Sequence, residues 1–195
     1  MSRGAKAQGG RGQIRIIGGQ WRGRNLTFPD IEGLRPTTDR VRETLFNWLA
    51  PQIHGARCLD LFAGSGALGL EALSRGAALC DFVDSSGKAM AQIQAHLKTL
   101  EAHDRGHCHK CLAQDYLERA AGPWNIVFID PPFGLGLAMP LCELLESKGC
   151  LANEALVYVE TGSAEPGLAM ASNWELHREK RAGNVRYQLF IVYSL

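Results

Sequence analysis

Residues 57–69, Arg-Cys-Leu-Asp-Leu-Phe-Ala-Gly-Ser-Gly-Ala-Leu-Gly, constrain this chain more than any other stretch. A short apolar run, Arg57 to Phe62, reads as a buried strand. It passes into a glycine-rich turn and then a helix through Leu68, Leu70, Ala72 and Leu73. The same rhythm repeats downstream. Leu79–Val83 predicts a second strand, Ser86–Leu100 a helix, and His107–Leu112 a third strand. Trp124–Ile129 predicts a fourth, followed by an apolar helix to Lys148, and Leu156–Val159 a fifth. Strands that are apolar throughout and alternate with helices predict an α/β fold, a mostly parallel sheet with helices on both faces. Trp174–Arg181 and Asn184–Tyr193, joined through Ala182 and Gly183, read as an antiparallel C-terminal hairpin.

The region before this alternation is different in kind. Residues 1–13 are rich in Gly and Arg, lack periodicity, and read as a flexible basic arm. Residues 14–195 read as one domain, of which 14–50 form a small β/helix extension. Gln13–Phe28 predicts one or two short strands interrupted by Gly18-Gly19 and Gly23. Thr37 or Thr38 can cap a helix carrying Val41, Leu45, Trp48 and Leu49, which Pro51 ends.

Charge follows the same division. The net charge of +1 hides nine Lys/Arg against three acids in residues 1–42, a local +6, with −5 on the rest. A basic arm on a mildly acidic body predicts a polyanionic partner. A hydrophobic content of 46% excludes a disordered chain. The longest uncharged run, Thr44 to Ala56, holds 13 residues and includes Pro51, too short for a membrane helix. The first thirteen residues have no apolar stretch of the kind a secretory signal needs. A cytoplasmic, soluble protein without a membrane partner is expected, and a monomer. The six cysteines are then expected as free thiols. His107-Cys108-His109-Lys110-Cys111 holds one C-x2-C, but Cys142 and Cys150 do not supply a second well-spaced pair, so no metal is expected.

Two segments carry chemistry. In the first, Gly64 and Gly66 let the backbone turn sharply beyond a strand's carboxyl end, where open parallel sheets bind ligands. Gly64, Gly66 and Gly69 match a dinucleotide spacing, which is weak alone. Asp84 ends the next strand, 20 residues after Gly64, where a carboxylate can accept two ribose hydroxyls. Asp60, just before the turn, disfavours an anionic pyrophosphate and suits a ligand with a positive amino group, such as the methionine part of S-adenosylmethionine. In the second segment, Asn125–Ile129 runs into Asp130-Pro131-Pro132-Phe133. Two prolines fix φ twice and remove two N–H donors. The turn therefore presents acceptors only, the Asp130 carboxylate and the Pro131 carbonyl, and Phe133 offers a face for stacking a base. Two acceptors on the hydrogens of an exocyclic base amine draw it toward sp³ geometry and aim its lone pair at a methyl donor, so catalysis is positioning and electrostatics.

With these residues in view, the chain resembles the amino-group methyltransferases with a (D/N)PP(Y/F) turn. More specifically, Arg35-Pro36-Thr37-Thr38-Asp39-Arg40-Val41-Arg42-Glu43-Thr44-Leu45-Phe46-Asn47 resembles the bacterial RsmD family, small-subunit rRNA guanine-N2 methyltransferases. The resemblance runs from Ile14 to the end and leaves out residues 1–13. It implies a Rossmann-like class I methyltransferase fold, S-adenosyl-L-methionine as cofactor, and one guanine of 16S rRNA, guanine-966, as target, within a 30S subunit or assembly intermediate. It implies that Phe62, Ala63, Gly64, Ser65 and Gly66 wrap the methionine part, that Asp84 holds the ribose, and that Asp115 takes the adenine amino group. Asp115 reads equally as a helix N-cap. Thr38 and Arg42 are expected over the donor or the RNA, with capping and surface charge as the alternative. Arg15, Arg22, Arg24, Arg35, Arg40 and Arg42 are the expected RNA contacts. Phe133 stands where many relatives have Tyr. A DNA adenine-N6 methyltransferase uses the same acceptor logic, but no extra target-recognition domain is visible. A non-enzymatic RNA-binding protein and a dinucleotide oxidoreductase leave Asp130 and the Pro-Pro turn without a use.

Overall fold

The computed structural model describes residues 11–29, 37–119 and 122–194. A two-stranded antiparallel hairpin opens it, β1 (Arg11–Arg15) with β2 (Asn25–Pro29). After α1 (Asp39–Leu49) the alternation begins: β3 (Arg57–Asp60), α2 (Ala67–Ser74), β4 (Leu79–Asp84), α3 (Gly87–Thr99), β5 (Gly106–Lys110) and α4 (Ala113–Arg119). It continues through β6 (Trp124–Ile129), α5 (Ala138–Ser147), β7 (Leu151–Gly162), β8 (Trp174–Ala182) and β9 (Val185–Val192). The large sheet has seven strands in the order β5-β4-β3-β6-β7-β9-β8. The first five are parallel, and β9 pairs antiparallel with both β7 and β8.

This order positions the site. The chain steps outward from β3 to β5, then returns to place β6 on the other side of β3. The winding reverses at β3 and β6, and in open α/β sheets ligands bind at such a point, beyond the carboxyl ends of the strands. Asp60, Asp84, Asp130 and Glu160 all lie at that end. The sheet's two faces bury alternate residues, as the pleat requires. Cys58, Phe82, Ile126, Phe128 and Tyr158 pack with α1, α2, α3 and the N-terminal hairpin. Leu59, Val83, Val127, Ile129 and Val157 pack with α4 and α5. Phe128 is fully buried between Phe46 and Tyr158, at ring distances of 6.0 and 6.4 Å. Truncating it to Ala would cost about 3–5 kcal/mol.

Several boundaries differ from the sequence reading. Arg11, Gly12 and Gln13 pair with Pro29, Phe28 and Thr27, so residues 11–13 belong to β1 and not to an arm. β7 has twelve residues, its first four half-buried or exposed and its later part buried. Residues 1–10 and Arg35 lie outside the described residues. Among the described residues, no helix is long and apolar enough to cross a membrane.

Candidate active site

The glycine-rich turn is held by its own backbone. Ala63 N–H donates to Val83 O at 3.0 Å and Gly66 N–H to Ala63 O at 2.7 Å. Gly64 and Gly66 adopt φ of 52° and 80°, a region side chains avoid. A Cβ on Gly66 would also stand 2.9 Å from Ile93 Cγ1. Gly69 is needed for close packing: its Cβ would fall 2.2 Å from the Phe82 ring. Phe62 is half-buried, and Ala63, Gly64, Ser65 and Gly66 are buried.

Two acids anchor this turn. Asp60 is buried and accepts the Gly69 N–H at 3.2 Å. Burial raises its carboxyl to a pKa of about 7, with the charge of Asp84 adding to the rise and backbone N–H groups opposing it. Asp84 is half-buried; its Oδ2 accepts the Gly64 N–H at 2.9 Å and its Oδ1 the Ser86 N–H at 2.8 Å. The two bonds fix the carboxylate's direction while each oxygen keeps a lone pair for a ligand.

The second cluster was only partly visible in the sequence. Ile129 pairs with Val159, so Asp130 and Glu160 are the next neighbours across β6 and β7. Both carboxyls come within reach of one hydroxyl, that of Thr37. The Thr37 hydroxyl lies 3.5 Å from Asp130 Oδ2 and 3.4 Å from Glu160 Oε1. Tyr158 OH donates to Glu160 Oε1 at 2.6 Å. Burial, then the charge of Glu160, then the contact between the carboxyls hold Asp130 well above the usual carboxylate range. Pro131 is buried, Pro132 is exposed, and Phe133 leaves 45% of its surface to solvent. Glu165 braces the turn: its Oε1 accepts the N–H groups of Gly134 and Gly162, both at 3.0 Å. Sequence reasoning missed Glu160 and Glu165, because neither stands in a motif; strand register and a loop closure bring them in.

Other expected site residues divide. Thr38 caps α1, accepting the Val41 N–H at 3.4 Å, and its neighbour Thr37 is the one that reaches the carboxylates. Asp115 is not an N-cap: α4 starts at Ala113, and Asp115 is exposed in its first turn. Arg15, Arg22, Arg24 and Arg40 are exposed. Arg42 is not available to RNA. It is 1% exposed, and its guanidinium bonds Asp39 at 2.5 Å, the Arg15 carbonyl at 2.9 Å and Glu71 at 3.5 Å. Glu71, itself fully buried, also accepts the N–H groups of Ile17 and Gly18 and pairs with Arg75. Arg42 therefore clamps α1 to α2 and the hairpin. Among the described residues, no three metal-ligating side chains gather; His107 and His109 share Asp81 instead.

Comparison with known proteins fits this geometry. A family model described as conserved hypothetical protein 95 matches residues 14–191. The ribosomal RNA small subunit methyltransferase D of Escherichia coli (strain K12) is 56% identical over 182 residues, covering 93% of this chain and 91% of the relative. The chain belongs to the RsmD family. Among solved structures, a putative methyltransferase from Escherichia coli matches with a TM-score of 0.86 and 51% identity, over 94% of this chain and 100% of that one. A putative SAM-dependent methyltransferase from Streptococcus mutans, 18% identical, shares the fold at a TM-score of 0.70, over 98% of this chain and 57% of that one. The RsmD-family match spans both halves of the site, from the hairpin through the glycine-rich turn to the Asp130 turn and Glu160. The sheet is thus the Rossmann-like class I methyltransferase fold, with its antiparallel C-terminal hairpin.

Proposed function

We propose that this RsmD-family chain methylates ribosomal RNA with S-adenosylmethionine as donor, and that its target is the exocyclic N2 amine of one guanine of 16S rRNA. The observation that carries the reading is the Asp130–Phe133 turn facing the Asp60/Asp84 turn across the switch point of the sheet. The residues fit the donor. Asp84 offers acceptors of fixed direction to ribose hydroxyls, and Gly64 and Gly66, which carry no side chains, let the ligand approach the turn's backbone closely. Asp60, at the strand end before the turn, is assigned to the donor's amino group, and Asp115, exposed in the first turn of α4, to the adenine amino group.

S-adenosylmethionine supplies a methyl group on a sulfonium sulfur, so the N2–C bond forms as the C–S bond breaks and its electron pair returns to sulfur. The protein's part is to hold the amine. Asp130 and the Pro131 carbonyl accept its hydrogens, the prolines keep competing N–H donors away, and Phe133 stacks the base that the RNA presents. The proton lost from N2 after transfer passes to the Asp130 side or to solvent.

The test is nucleoside mass spectrometry after incubation of the protein with donor and either free 16S rRNA or 30S subunits. N2-methylguanosine is expected, and Asp130→Ala should slow its formation about 100- to 1,000-fold, as loss of one preorganised charge-stabilising contact does elsewhere. N6-methyladenosine as product, or a wild-type rate for Asp130→Ala, would overturn the reading.

A further inference from the structure

The site holds one more carboxyl than amine activation requires. Asp130 and the Pro131 carbonyl already provide two acceptors for the two hydrogens of an exocyclic amine. Glu160 stands beside them, on the adjacent strand and in register with Asp130. It is 5% exposed, and burying a carboxyl without purpose is costly. Its known bonds, from Tyr158 OH and within reach of Thr37 OH, both fall on Oε1. Thr37 meets Asp130 on Oδ2. Tyr158 is itself fully buried, so Glu160 has a fixed orientation.

Bases carry their donors and acceptors in distinct patterns, and a base turned out of its stack is read on its Watson–Crick edge. Guanine presents N1–H directly beside the N2 amine, two neighbouring donors. Adenine presents N1 as a bare acceptor beside its N6 amine. Neighbouring parallel strands stand about 4.8 Å apart, a spacing that lets two carboxyls meet adjacent donors of one ring edge. Pro131 and Pro132 contribute no N–H, so neither of them can satisfy an adenine N1.

We propose that Glu160 selects guanine: its Oε2 accepts the N1–H while Asp130 Oδ1 accepts an N2–H. This rests on the rRNA guanine-N2 reading above and deepens it. The hydroxyl contacts fit this division: Tyr158 and Thr37 meet Glu160 on Oε1 and Thr37 meets Asp130 on Oδ2, which leaves Oε2 and Oδ1 to the base. An adenine in the same place would set its N1 lone pair against the Glu160 oxygen. Glu160 is thus a specificity-determining residue, distinct from Asp130, which holds the reacting amine.

The experiment is single-turnover methyl transfer to small-subunit RNA carrying either guanine or 2-aminopurine at the target position. 2-Aminopurine keeps the amine and lacks N1–H. The wild type should favour guanine by about ten- to a hundredfold, the range expected for a hydrogen bond to a charged acceptor. Glu160→Ala should lose rate chiefly on guanine and bring the ratio near one. Glu160→Gln, which keeps size and a neutral acceptor, should give an intermediate ratio, and it carries the test should the Ala variant not fold. Donor titration of each variant checks that the cofactor side is intact. A guanine preference unchanged in a folded Glu160 variant, with both rates reduced alike, would overturn the proposal. A wild type inactive on the guanine RNA would instead overturn the rRNA reading itself.

Discussion

Asp130 and Asp60 are carboxyls that the fold holds toward their protonated forms, with different consequences. Asp130 faces Glu160 and Tyr158 from β7, Tyr187 from β9, Asp60 from β3 and the Thr37 hydroxyl. On the proposed mechanism its carboxylate must be free to accept an amine hydrogen, so the acid limb of the transfer rate should lie well above the ordinary carboxylate range. Glu160→Gln removes the neighbouring charge and should move that limb to lower pH, measured as single-turnover rate against pH. For Asp60 the effect falls on stability. Its folded pKa, about 7, exceeds the ordinary 3.8, so between these values the folded state binds a proton that the unfolded state releases. Its contribution to stability is therefore fully present below pH 3.8 and is lost as pH rises through about 7. Asp60→Asn should flatten that part of the stability profile, read by denaturant unfolding at a series of pH values. A profile with the wild-type slope would show that Asp60 is not the group responsible.

Among the elements, the core strands and helices were legible because each is a continuous apolar or periodic run. Trp124–Ile129 appears as β6 with the same bounds, and Ser86 caps α3 by accepting the Ala89 N–H at 3.2 Å. What the sequence could not show is which partner a polar residue meets. Thr37 and Thr38 are equivalent as letters; only the direction of α1 sends one to the backbone and the other to Asp130. Glu160 lies 30 residues beyond Asp130, and only parallel register makes them neighbours. Arg42 counted as one of nine basic groups, yet it sits on the buried face of α1. Breaking a buried ion pair leaves an uncompensated charge and costs about 3–5 kcal/mol. Arg42→Met should fall at the low end, about 3 kcal/mol, because Glu71 keeps Arg75 and two backbone donors. The salt dependence of RNA binding should be unchanged in this variant. A changed slope with unaltered unfolding midpoints would return Arg42 to the RNA-facing surface.

For the molecule as a whole, the proposed function asks a small chain to hold a large polyanion while the chemistry stays at one set of strand ends. The exposed arginines Arg15, Arg22 and Arg24 belong to the hairpin and its connecting loop. That loop packs on Ser74, through bonds to Gln20 and Trp21, at the end of α2 away from the glycine-rich turn. The eight residues of α2 separate the two by about 12 Å. If these arginines hold the RNA, as proposed, affinity and chemistry fall on different surfaces, and a phosphate contact at the loop can position the RNA without touching the target base. Replacing Arg15, Arg22 and Arg24 together by Gln should weaken RNA binding most at low salt. Each lost phosphate contact lowers the slope of log affinity against log salt by about 0.7–0.9, so the triple variant should flatten it by about two to three. Removing residues 1–10, which takes away Arg3 and Lys6 but leaves β1 whole, should flatten it by less than two. Donor affinity should stay at the wild-type value in both variants, because no donor-side residue is altered. Fluorescence anisotropy of labelled RNA across a salt series, beside calorimetric titration of the donor, measures both quantities. A triple variant with the wild-type salt slope would show that the hairpin is not part of the RNA-binding surface.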